Sequence, residues 1–235
     1  MSVNDHDGII LCGGLGTRLQ SVTGDTPKVM AEVNGAPFLD LIIGHLKDQG
    51  IERIILCTGH KADLVEDYYR EHNFGITIDF SREDKPLGTG GALKNAQEII
   101  SSDTFFVFNG DSFLPADLQA LLDFHKEKDA VASILVSRVS EAKDFGSLEI
   151  DASGRVTGFC EKIEGNVQPL VNAGVYCFDR EVFSLIPEEE NFSLETNLFP
   201  SLVGKQFYGY LTGQKFMDIG TPQRYESVKA NLKKE

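Results

Sequence analysis

The chain has 235 residues, of which 41% are hydrophobic, so it can bury one sizeable core. Its net charge of −14 argues against a nucleic-acid partner, which requires a basic face, but not against a small phosphate ligand held by local cations. No apolar segment approaches membrane-spanning length, and the four cysteines stand singly in apolar runs. We therefore expect a soluble, cytoplasmic protein with reduced thiols and no membrane partner.

The most informative stretch runs from Gly8 to Lys28. An apolar run at residues 9–12 is typical of a buried strand and ends abruptly in glycine. Glycines at the carboxyl end of a strand let backbone N–H groups approach an anion, because no Cβ intervenes. A guanidinium and an ammonium follow these glycines, and the residues concerned are Gly13, Gly14, Gly16, Arg18 and Lys28. This combination favours binding of a polyphosphate.

Two familiar phosphate-binding loops do not fit this stretch. A dinucleotide-binding loop needs a third glycine where Leu19 stands, and a P-loop needs Gly-Lys before Ser or Thr, whereas Thr17 follows Gly16. A glycine-rich turn with two surface cations is the simpler interpretation of the loop alone. Phosphate binding is therefore a hypothesis that the rest of the chain has to support.

The first third of the chain alternates between strands and helices. After the first strand, periodicity predicts helices at 37–49 and 61–72 and strands at 54–57 and 76–80. Such alternation predicts an α/β fold with a Rossmann-like, mostly parallel sheet flanked by helices. Ligands of these sheets bind outside the carboxyl ends of the strands, where the glycine-rich loop lies.

A second glycine-rich stretch, at 82–91, precedes a helix predicted at 92–100. Its backbone amides can face an anion or the edge of a base, although a flexible connector explains the segment alone equally well. A buried strand at 105–108 follows and leads to Asp111. Because this carboxylate would lie in the same crevice as the first loop, it is a candidate Mg²⁺ ligand, with a simple turn as the alternative.

The second half combines helices with antiparallel strands. Helices are predicted at 116–128, 180–186 and 222–233, and strands at 130–136, 146–150, 155–162, 172–178, 207–211 and 215–217. The strands that flank the turn at 151–154 are typical of an antiparallel hairpin. Asp218 repeats the pattern of Asp111, since it follows a strand and precedes a helix. Paired acids, paired cations and two glycine-rich turns together indicate phosphoryl or nucleotidyl transfer with a divalent metal.

Several motifs occur in order and together resemble the sugar-1-phosphate nucleotidylyltransferases over about residues 8–226. They are GGLGTRL at 13–19 with PK at 27–28, PLGTGG at 86–91, NGD at 109–111, EK at 161–162, NAGVY at 172–176 and DIGTP at 218–222. The S-V-x-x-D-x-P-K loop and the P-F-L helix start are similar to those of the D-glycero-α-D-manno-heptose 1-phosphate guanylyltransferases. The P-L-G-T turn also occurs in the mannose-1-phosphate guanylyltransferases.

The resemblance implies a role for each matching position. The nucleotide-binding residues would be Leu11, Gly13, Gly14, Gly16, Thr17, Arg18, Lys28, Pro86, Gly88, Thr89, Asn109 and Gly110. The residues that bind the sugar phosphate would be Gly146, Glu161, Lys162, Asn172 and Gly174. The Mg²⁺ ligands would be Asp111 and Asp218, and the catalytic residues would be Arg18, Lys28 and Asp111.

The resemblance also implies an organisation and a reaction. The nucleotide-diphospho-sugar transferase fold would form a single domain over 1–235, with a nucleotide-binding half at about 1–112 and a sugar-phosphate-binding half, containing a small antiparallel subregion, at about 113–235. With Mg²⁺ as cofactor, the enzyme would transfer GMP from GTP to D-glycero-α-D-manno-heptose 1-phosphate and release pyrophosphate. A homodimer is the assembly considered, and the product would feed capsule or lipopolysaccharide synthesis.

Three alternatives stay open beside this interpretation. The first is a nucleotidylyltransferase that uses a mannose, glucose or amino-sugar 1-phosphate and another NTP. The second is a non-catalytic regulatory protein that binds a sugar nucleotide. The third is a glycosyltransferase with a similar sheet, but such an enzyme needs a D-x-D metal motif, which Asp111-Ser112-Phe113 lacks.

Overall fold

The computed structural model describes residues 2–72, 74–139, 146–160, 170–188 and 191–232. The α-helices within these ranges are α1 (Gln20–Thr23), α2 (Phe38–Asp48), α3 (Ala62–Glu71), α4 (Gly88–Asn95), α5 (Leu118–Glu127), α6 (Phe199–Leu202) and α7 (Pro222–Leu232). Short 3₁₀-helices cover Val3–Asp5, Lys28–Met30 and Arg180–Leu185, and a π-helix covers Leu194–Leu198. None of the helices described is both long and apolar enough to cross a membrane.

The strands form one large sheet and two small ones. They are β1 (Gly8–Leu11), β2 (Glu32–Val33), β3 (Ala36–Pro37), β4 (Arg53–Thr58), β5 (Thr77–Arg82), β6 (Thr104–Asn109), β7 (Ser112–Phe113), β8 (Ala132–Arg138), β9 (Ser147–Ile150), β10 (Val156–Cys160), β11 (Leu170–Asp179), β12 (Phe207–Leu211) and β13 (Met217–Asp218). The small sheets pair β2 with β3 and β7 with β13.

The large sheet has a parallel part and an antiparallel part. In the parallel part β6, β1, β4 and β5 are neighbours in this order. β11 then pairs antiparallel with β6, β8 and β9, and β9 pairs antiparallel with β10. The predicted α/β fold, with a parallel sheet flanked by helices and a smaller antiparallel region, is confirmed, and so is the predicted hairpin.

Alternating residues of the central strand face two separate cores. Ile10 packs in a core that includes side chains of α2, α3, α5 and α7, and Ile9 packs in a core that includes α4 and the segment 182–202. Both isoleucines are fully buried. Because both faces of β1 are covered, the strand is apolar throughout. Polar groups that follow it are therefore placed at its carboxyl end.

The second glycine-rich stretch is helical from Gly88 onwards, which the sequence did not indicate. α4 begins at Gly88 instead of residue 92 and ends at Asn95 instead of residue 100. A Cβ on Gly88 would lie 2.7 Å from the carbonyl oxygen of Phe192, so this glycine allows close packing against a segment distant in sequence. The prediction of an irregular stretch was therefore wrong for residues 88–91, whereas residues 83–87 form no helix or strand. The short strands β2, β3 and β7 and the short helices α1 and α6 were also missed.

Asp7 joins the start of β1 to the connection between α4 and β6. Its Oδ2 accepts hydrogen bonds from the backbone N–H of Ser101 at 2.7 Å and of Ser102 at 3.2 Å, and its Oδ1 accepts one from Arg53 Nη1 at 3.1 Å. Burial alone would raise the pKa of Asp7, but the hydrogen bonds from both serines and the charge of Arg53 outweigh it. The pKa is therefore below its usual value, which means that the charged form stabilises the fold.

We expect Asp7→Asn to lower the free energy of unfolding by about 1–3 kcal/mol at pH 7, because buried donors lose their charged acceptor. Because the pKa of Asp7 is lowered by folding, the stability that its charge contributes is fully present above the unfolded-state pKa of about 3.9. This stability is lost as the pH falls through the folded-state pKa. Urea unfolding at a series of pH values measures the difference, which should narrow in acid. Asp103→Asn, at an exposed aspartate in the same connection, is the control. An Asp7 variant as stable as that control would contradict the assignment.

Candidate active site

A cavity of about 770 Å³ lies at the carboxyl edge of the parallel strands. Its walls include the loop at 12–18, the turn at 83–89 and the ends of β1 and β6. The predicted residues that line it are Leu11, Gly13, Gly14, Gly16, Thr17, Arg18, Lys28, Pro86, Gly88, Thr89, Asn109 and Asp111. Two stretches some 70 residues apart in sequence are thus brought together at one edge of the sheet.

The first loop lines the cavity with unpaired backbone donors. None of the N–H groups of residues 13–18 donates a hydrogen bond to a residue that the structure describes. The loop is held instead through its carbonyl groups, since Gly13 accepts from His60 N at 3.1 Å and Gly16 accepts from Leu19 N at 3.0 Å. Backbone donors without partners beside a cavity are able to bind an anion.

Gly16 lets this loop cross directly over Lys28. Its φ is +62°, and a Cβ at this position would lie 2.8 Å from the Cβ of Lys28. Gly14 is different, because its φ is not positive and a Cβ there would have no neighbour within 4 Å. The two glycines therefore have different roles. Gly16 allows a positive φ and close contact with Lys28, whereas Gly14 leaves open space beside the cavity.

The two cations of the loop have different surroundings. Lys28 Nζ lies 2.5 Å from Asp111 Oδ2, and the side chains are 11% and 37% exposed. Arg18 is exposed and forms no ion pair with any residue that is described. One cation is thus neutralised by a carboxylate, whereas the other is available to a ligand.

The two predicted metal ligands are neighbours. β7 and β13 pair antiparallel, with Ser112 opposite Asp218. The backbone N–H of Ile219 donates to the carbonyl oxygen of Asp111 at 3.0 Å. This small sheet, which the sequence did not reveal, brings together carboxylates that are separated by more than 100 residues.

Asp218 is a buried carboxylate in an unfavourable electrostatic environment. Its Oδ1 accepts hydrogen bonds from Arg224 Nη1 at 2.8 Å and from the backbone N–H of Gly220 at 3.0 Å. Burial and, next, the negative charge of Asp111 raise the pKa of Asp218, although Arg224 and Lys28 act against this. Among the residues described, Oδ2 of Asp218 and Oδ1 of Asp111 have no hydrogen-bond partner. The pair therefore retains acceptor atoms for a cation.

Asn172 and Gly174 lie on β11, next to the connection between β6 and β7. Asn172 Nδ2 donates to the Tyr176 hydroxyl at 2.8 Å, and its Oδ1 accepts from Gly174 N at 2.8 Å. Gly174 has φ +70°, and a Cβ there would clash with Ser112 Oγ and lie 3.0 Å from Asn109 Cβ. The glycine allows β11 to approach the acidic end of the cavity closely.

Two amides in the first turn of α4 are occupied. Gly90 N and Gly91 N donate to the carbonyl oxygen of Phe192 at 2.8 and 3.0 Å. These two amides are therefore not available to an anion or a base. Gly88 and Thr89 do line the cavity.

Sequence reasoning missed Glu83, which lines the cavity beside the first loop. Burial raises the pKa of its carboxyl group, and the hydrogen bond from Leu87 N acts in the opposite direction. Cβ atoms on Gly13 and Gly59 would meet Glu83 Oε1, so two glycines make room for this carboxylate. Glu83 directly follows β5, and this is the strand-end signal that identified Asp111. The same reasoning could have found it.

Several predicted residues do not line the cavity, namely Gly110, Gly146, Asn172, Gly174 and Asp218. Gly110 is buried, and a Cβ there would lie 2.9 Å from the carbonyl oxygen of Leu11, so it serves the pairing of the strand ends. The carbonyl group of Gly146 accepts from Asn172 N at 2.8 Å. Two further predicted residues, Glu161 and Lys162, lie outside the described residues.

We expect Gly16→Ala to destabilise the ligand-free protein by about 1–2 kcal/mol, because a side chain is strained at positive φ and the new Cβ would meet Lys28. Gly14→Ala should leave the free energy of unfolding within about 0.5 kcal/mol of the parent. Urea unfolding of the two variants measures both values. Equal stabilities would show that the loop does not require the conformation of Gly16.

The whole chain is similar to known proteins. The model of the family described as "Nucleotidyl transferase" matches residues 7–235. A mannose-1-phosphate guanylyltransferase of Mycobacterium tuberculosis is 36% identical over 99% of this chain, which spans 66% of that protein's length, just under two thirds. A D-glycero-alpha-D-manno-heptose 1-phosphate guanylyltransferase of Aneurinibacillus thermoaerophilus is 36% identical over 96% of this chain and 98% of its own length.

Solved structures are similar over the same extent. HddC from Yersinia pseudotuberculosis superposes with a TM-score of 0.86 at 36% identity, covering 97% of this chain and 99% of that one. The structure of the same protein complexed with GMP-PN has a TM-score of 0.84 with the same coverage. The match of the family model and of full-length relatives shows that this chain belongs to the nucleotidyl transferase family.

Proposed function

We propose that this protein transfers GMP from GTP to a sugar 1-phosphate, with D-glycero-α-D-manno-heptose 1-phosphate as the first candidate acceptor. An oxygen of the sugar phosphate forms a bond to the α-phosphorus of GTP. The bond from that phosphorus to the oxygen bridging to the β-phosphate breaks at the same centre. The products are a GDP-sugar and pyrophosphate.

The observation that carries this proposal is the set of unpaired backbone donors at 13–18 beside Arg18 and Lys28. A triphosphate needs several fixed donors and cations at once. This chain has a net charge of −14, yet it assembles both at the carboxyl edge of the sheet. We assign the amides of the loop and Arg18 to the triphosphate and Lys28 to the α-phosphate.

This chemistry needs no general base. The attacking oxygen of a sugar phosphate is already an anion at neutral pH, so no side chain has to remove a proton. The barrier comes from bringing two anions together, and it falls when they are aligned and their charge is neutralised. The cavity offers cations and hydrogen-bond donors, which suit this reaction. Of the five histidines in the chain, only the exposed His60 lines the cavity.

Asp111 and Asp218 fit a divalent cation such as Mg²⁺. They are adjacent, burial and then the charge of Asp111 raise the pKa of Asp218, and each keeps an oxygen without a partner among the described residues. No group of three His, Cys, Asp or Glu side chains that could hold a metal occurs in the described part of the chain, so phosphate oxygens would complete the coordination. When bound, the cation would neutralise charge on the triphosphate. Lys28 would then exchange Asp111 for a phosphate oxygen.

Glu83 supports guanine as the base. Guanine presents N1–H and its 2-amino group as adjacent donors, and a carboxylate can accept from both. Uracil and thymine place one N–H between two carbonyl oxygens, and a carboxylate would repel these two oxygens. Glu83 lines the cavity near Gly88, and the related HddC has been solved with GMP-PN. We therefore assign Glu83 to the base.

The acceptor is assigned from the relatives and from the position of β11. Full-length relatives are heptose 1-phosphate guanylyltransferases, and a longer relative uses mannose 1-phosphate by its name. We assign the sugar phosphate to the half at about 113–235, with Gly146, Asn172 and Gly174 among the described residues and with Glu161 and Lys162 outside them. Cytoplasmic location, homodimerisation and a role in capsule or lipopolysaccharide synthesis stay predictions.

A non-catalytic regulator that binds a sugar nucleotide is the second candidate. It would need the cavity and the base-binding residues but not the paired acids. The adjacency of Asp111 and Asp218 beside Lys28 favours the enzyme, because binding alone does not require this arrangement.

The test is pyrophosphate release with Mg²⁺ from GTP, ITP, UTP, dTTP, CTP and ATP, each combined with heptose, mannose, glucose and N-acetylglucosamine 1-phosphates. We expect turnover with GTP and the heptose phosphate. ITP lacks the 2-amino group and should react more slowly, since it loses one hydrogen bond to Glu83. Silence across the panel with retained binding of GDP-sugars would establish the regulator instead.

We expect Lys28→Ala and Asp111→Ala each to lower kcat by about 10²–10³, because each removes a positioned charge from a partly buried site. Initial rates of pyrophosphate release measure the loss. Lys128→Ala removes a surface lysine paired with Glu127 and should keep the parental rate. Near-normal turnover of the Lys28 or Asp111 variant would contradict the catalytic assignment.

A further inference from the structure

Glu195 is a second carboxylate that the sequence analysis did not identify. It lies in the π-helix at 194–198 and lines the same cavity as Thr89. It lies outside the glycine-rich loop and outside β7 and β13, the strands that bring the paired aspartates together. Its role is therefore not given by the phosphate and metal sites proposed above.

One oxygen of Glu195 is firmly held. Oε2 accepts hydrogen bonds from Thr89 Oγ1 at 2.7 Å and from Ser193 Oγ at 2.9 Å. Thr89 Oγ1 also accepts from Leu194 N at 2.8 Å, and Ser193 Oγ accepts from Glu195 N at 3.1 Å. Both hydroxyl groups are thus oriented as donors to Oε2, which fixes the carboxylate.

The other oxygen is not used by the protein. Within the described residues, Oε1 has no hydrogen-bond donor, and Glu195 forms no ion pair. The side chain is half-buried and lines the cavity, so Oε1 is accessible to a donor from a bound ligand. The carboxylate is therefore a hydrogen-bond acceptor whose position is fixed through Oε2.

The chemistry of the proposed ligands limits which of their groups can donate a hydrogen bond to Oε1. Phosphate groups are repelled by a carboxylate and are matched by Arg18 and Lys28. The guanine edge is assigned to Glu83. Glu195 is hydrogen-bonded to Thr89 of the base-side turn, and its charge, after burial, raises the phenol pKa of Tyr176 on β11. The hydroxyl groups of the ribose and of the acceptor sugar are the remaining donors of the ligand.

We propose that Oε1 of Glu195 accepts a hydrogen bond from a sugar hydroxyl group and thereby selects ligands that carry it. The hydroxyl belongs either to the ribose of GTP or to the acceptor sugar, since both present vicinal diols. This proposal rests on the proposed function, which identifies these ligands. A site built to bind a hydroxyl group rejects the analogue that lacks it, because the carboxylate is left unpaired.

The experiment combines ligand and enzyme variants and measures binding by calorimetry. The ribose arm compares GTP with 2′-deoxy-GTP and 3′-deoxy-GTP. The acceptor arm compares GDP-mannose with analogues deoxygenated at C2, C3 or C4 of the mannose. With the parent protein, the analogue that lacks the selected hydroxyl should bind about 10- to 100-fold more weakly.

Glu195→Gln should weaken binding of the complete ligand about tenfold, because a hydrogen bond to a neutral acceptor is weaker than one to a carboxylate. It should change binding of the critical deoxy analogue less than twofold, since that contact is already absent. Glu195→Asp retracts the same charge and should give the same pattern, which keeps the test decisive if the glutamine variant folds poorly. One deoxy analogue should abolish the effect of the Glu195 substitution on affinity. The arm to which this analogue belongs shows whether the selected hydroxyl group lies on the ribose or on the acceptor sugar.

Glu181→Gln is the matched control, because it makes the same change at an exposed glutamate that does not line the cavity. It should leave the affinities of complete and deoxy ligands unchanged. The proposal is overturned if Glu195→Gln also acts by a common factor on every ligand, or has no effect. Because these are binding measurements, they stand even if the parent protein releases no pyrophosphate, a result that would overturn the proposed function alone.

Discussion

The parallel pairing of β1 with its two neighbours is the constraint on which the site depends. Leu11 is opposite Cys57 of β4 and Asn109 of β6, so three strands end at one edge. Gly110 N then donates to the Leu11 carbonyl oxygen at 2.9 Å, a contact that any side chain at Gly110 would obstruct. The first loop and the acidic turn are therefore held side by side by backbone pairing. The charged groups of these two segments therefore lie close together at this edge of the sheet.

The ion pair between Lys28 and Asp111 compensates two opposite charges that the fold brings together at the proposed phosphate site. Lys28 is nearly buried, and an unpaired ammonium there would be costly. Asp111 compensates that charge, and Asp218 next to it carries a pKa raised by burial and by Asp111. A ligand that brings both phosphate and a cation can satisfy all three groups at once. Neither component alone satisfies them, since phosphate would leave the acids facing each other and a cation would leave Lys28 without a partner.

How much of this could be predicted from sequence depends on whether the signal is local. The strand at 9–12, the loop that follows it and Asp111 were identified because each stands beside a strong apolar run. The adjacency of Asp111 and Asp218 required the pairing of β7 with β13, and β7 is a two-residue strand with no periodicity to detect. The resemblance named both acids, but only the fold explains why they meet. Glu195 had no signal of its own, because its partner Thr89 is 106 residues away.

The two glycine-rich stretches look alike in sequence but have different physical purposes. In the first, the amides of residues 13–18 have no partner among the described residues, and Gly14 leaves open space. In the second, the amides of Gly90 and Gly91 are taken by Phe192, so the glycines serve packing. That packing seats the segment at 191–195 against the start of α4 and brings Glu195 to the cavity wall. The glycines of this stretch therefore act mainly through packing, because they allow the segment that carries Glu195 to approach α4 closely.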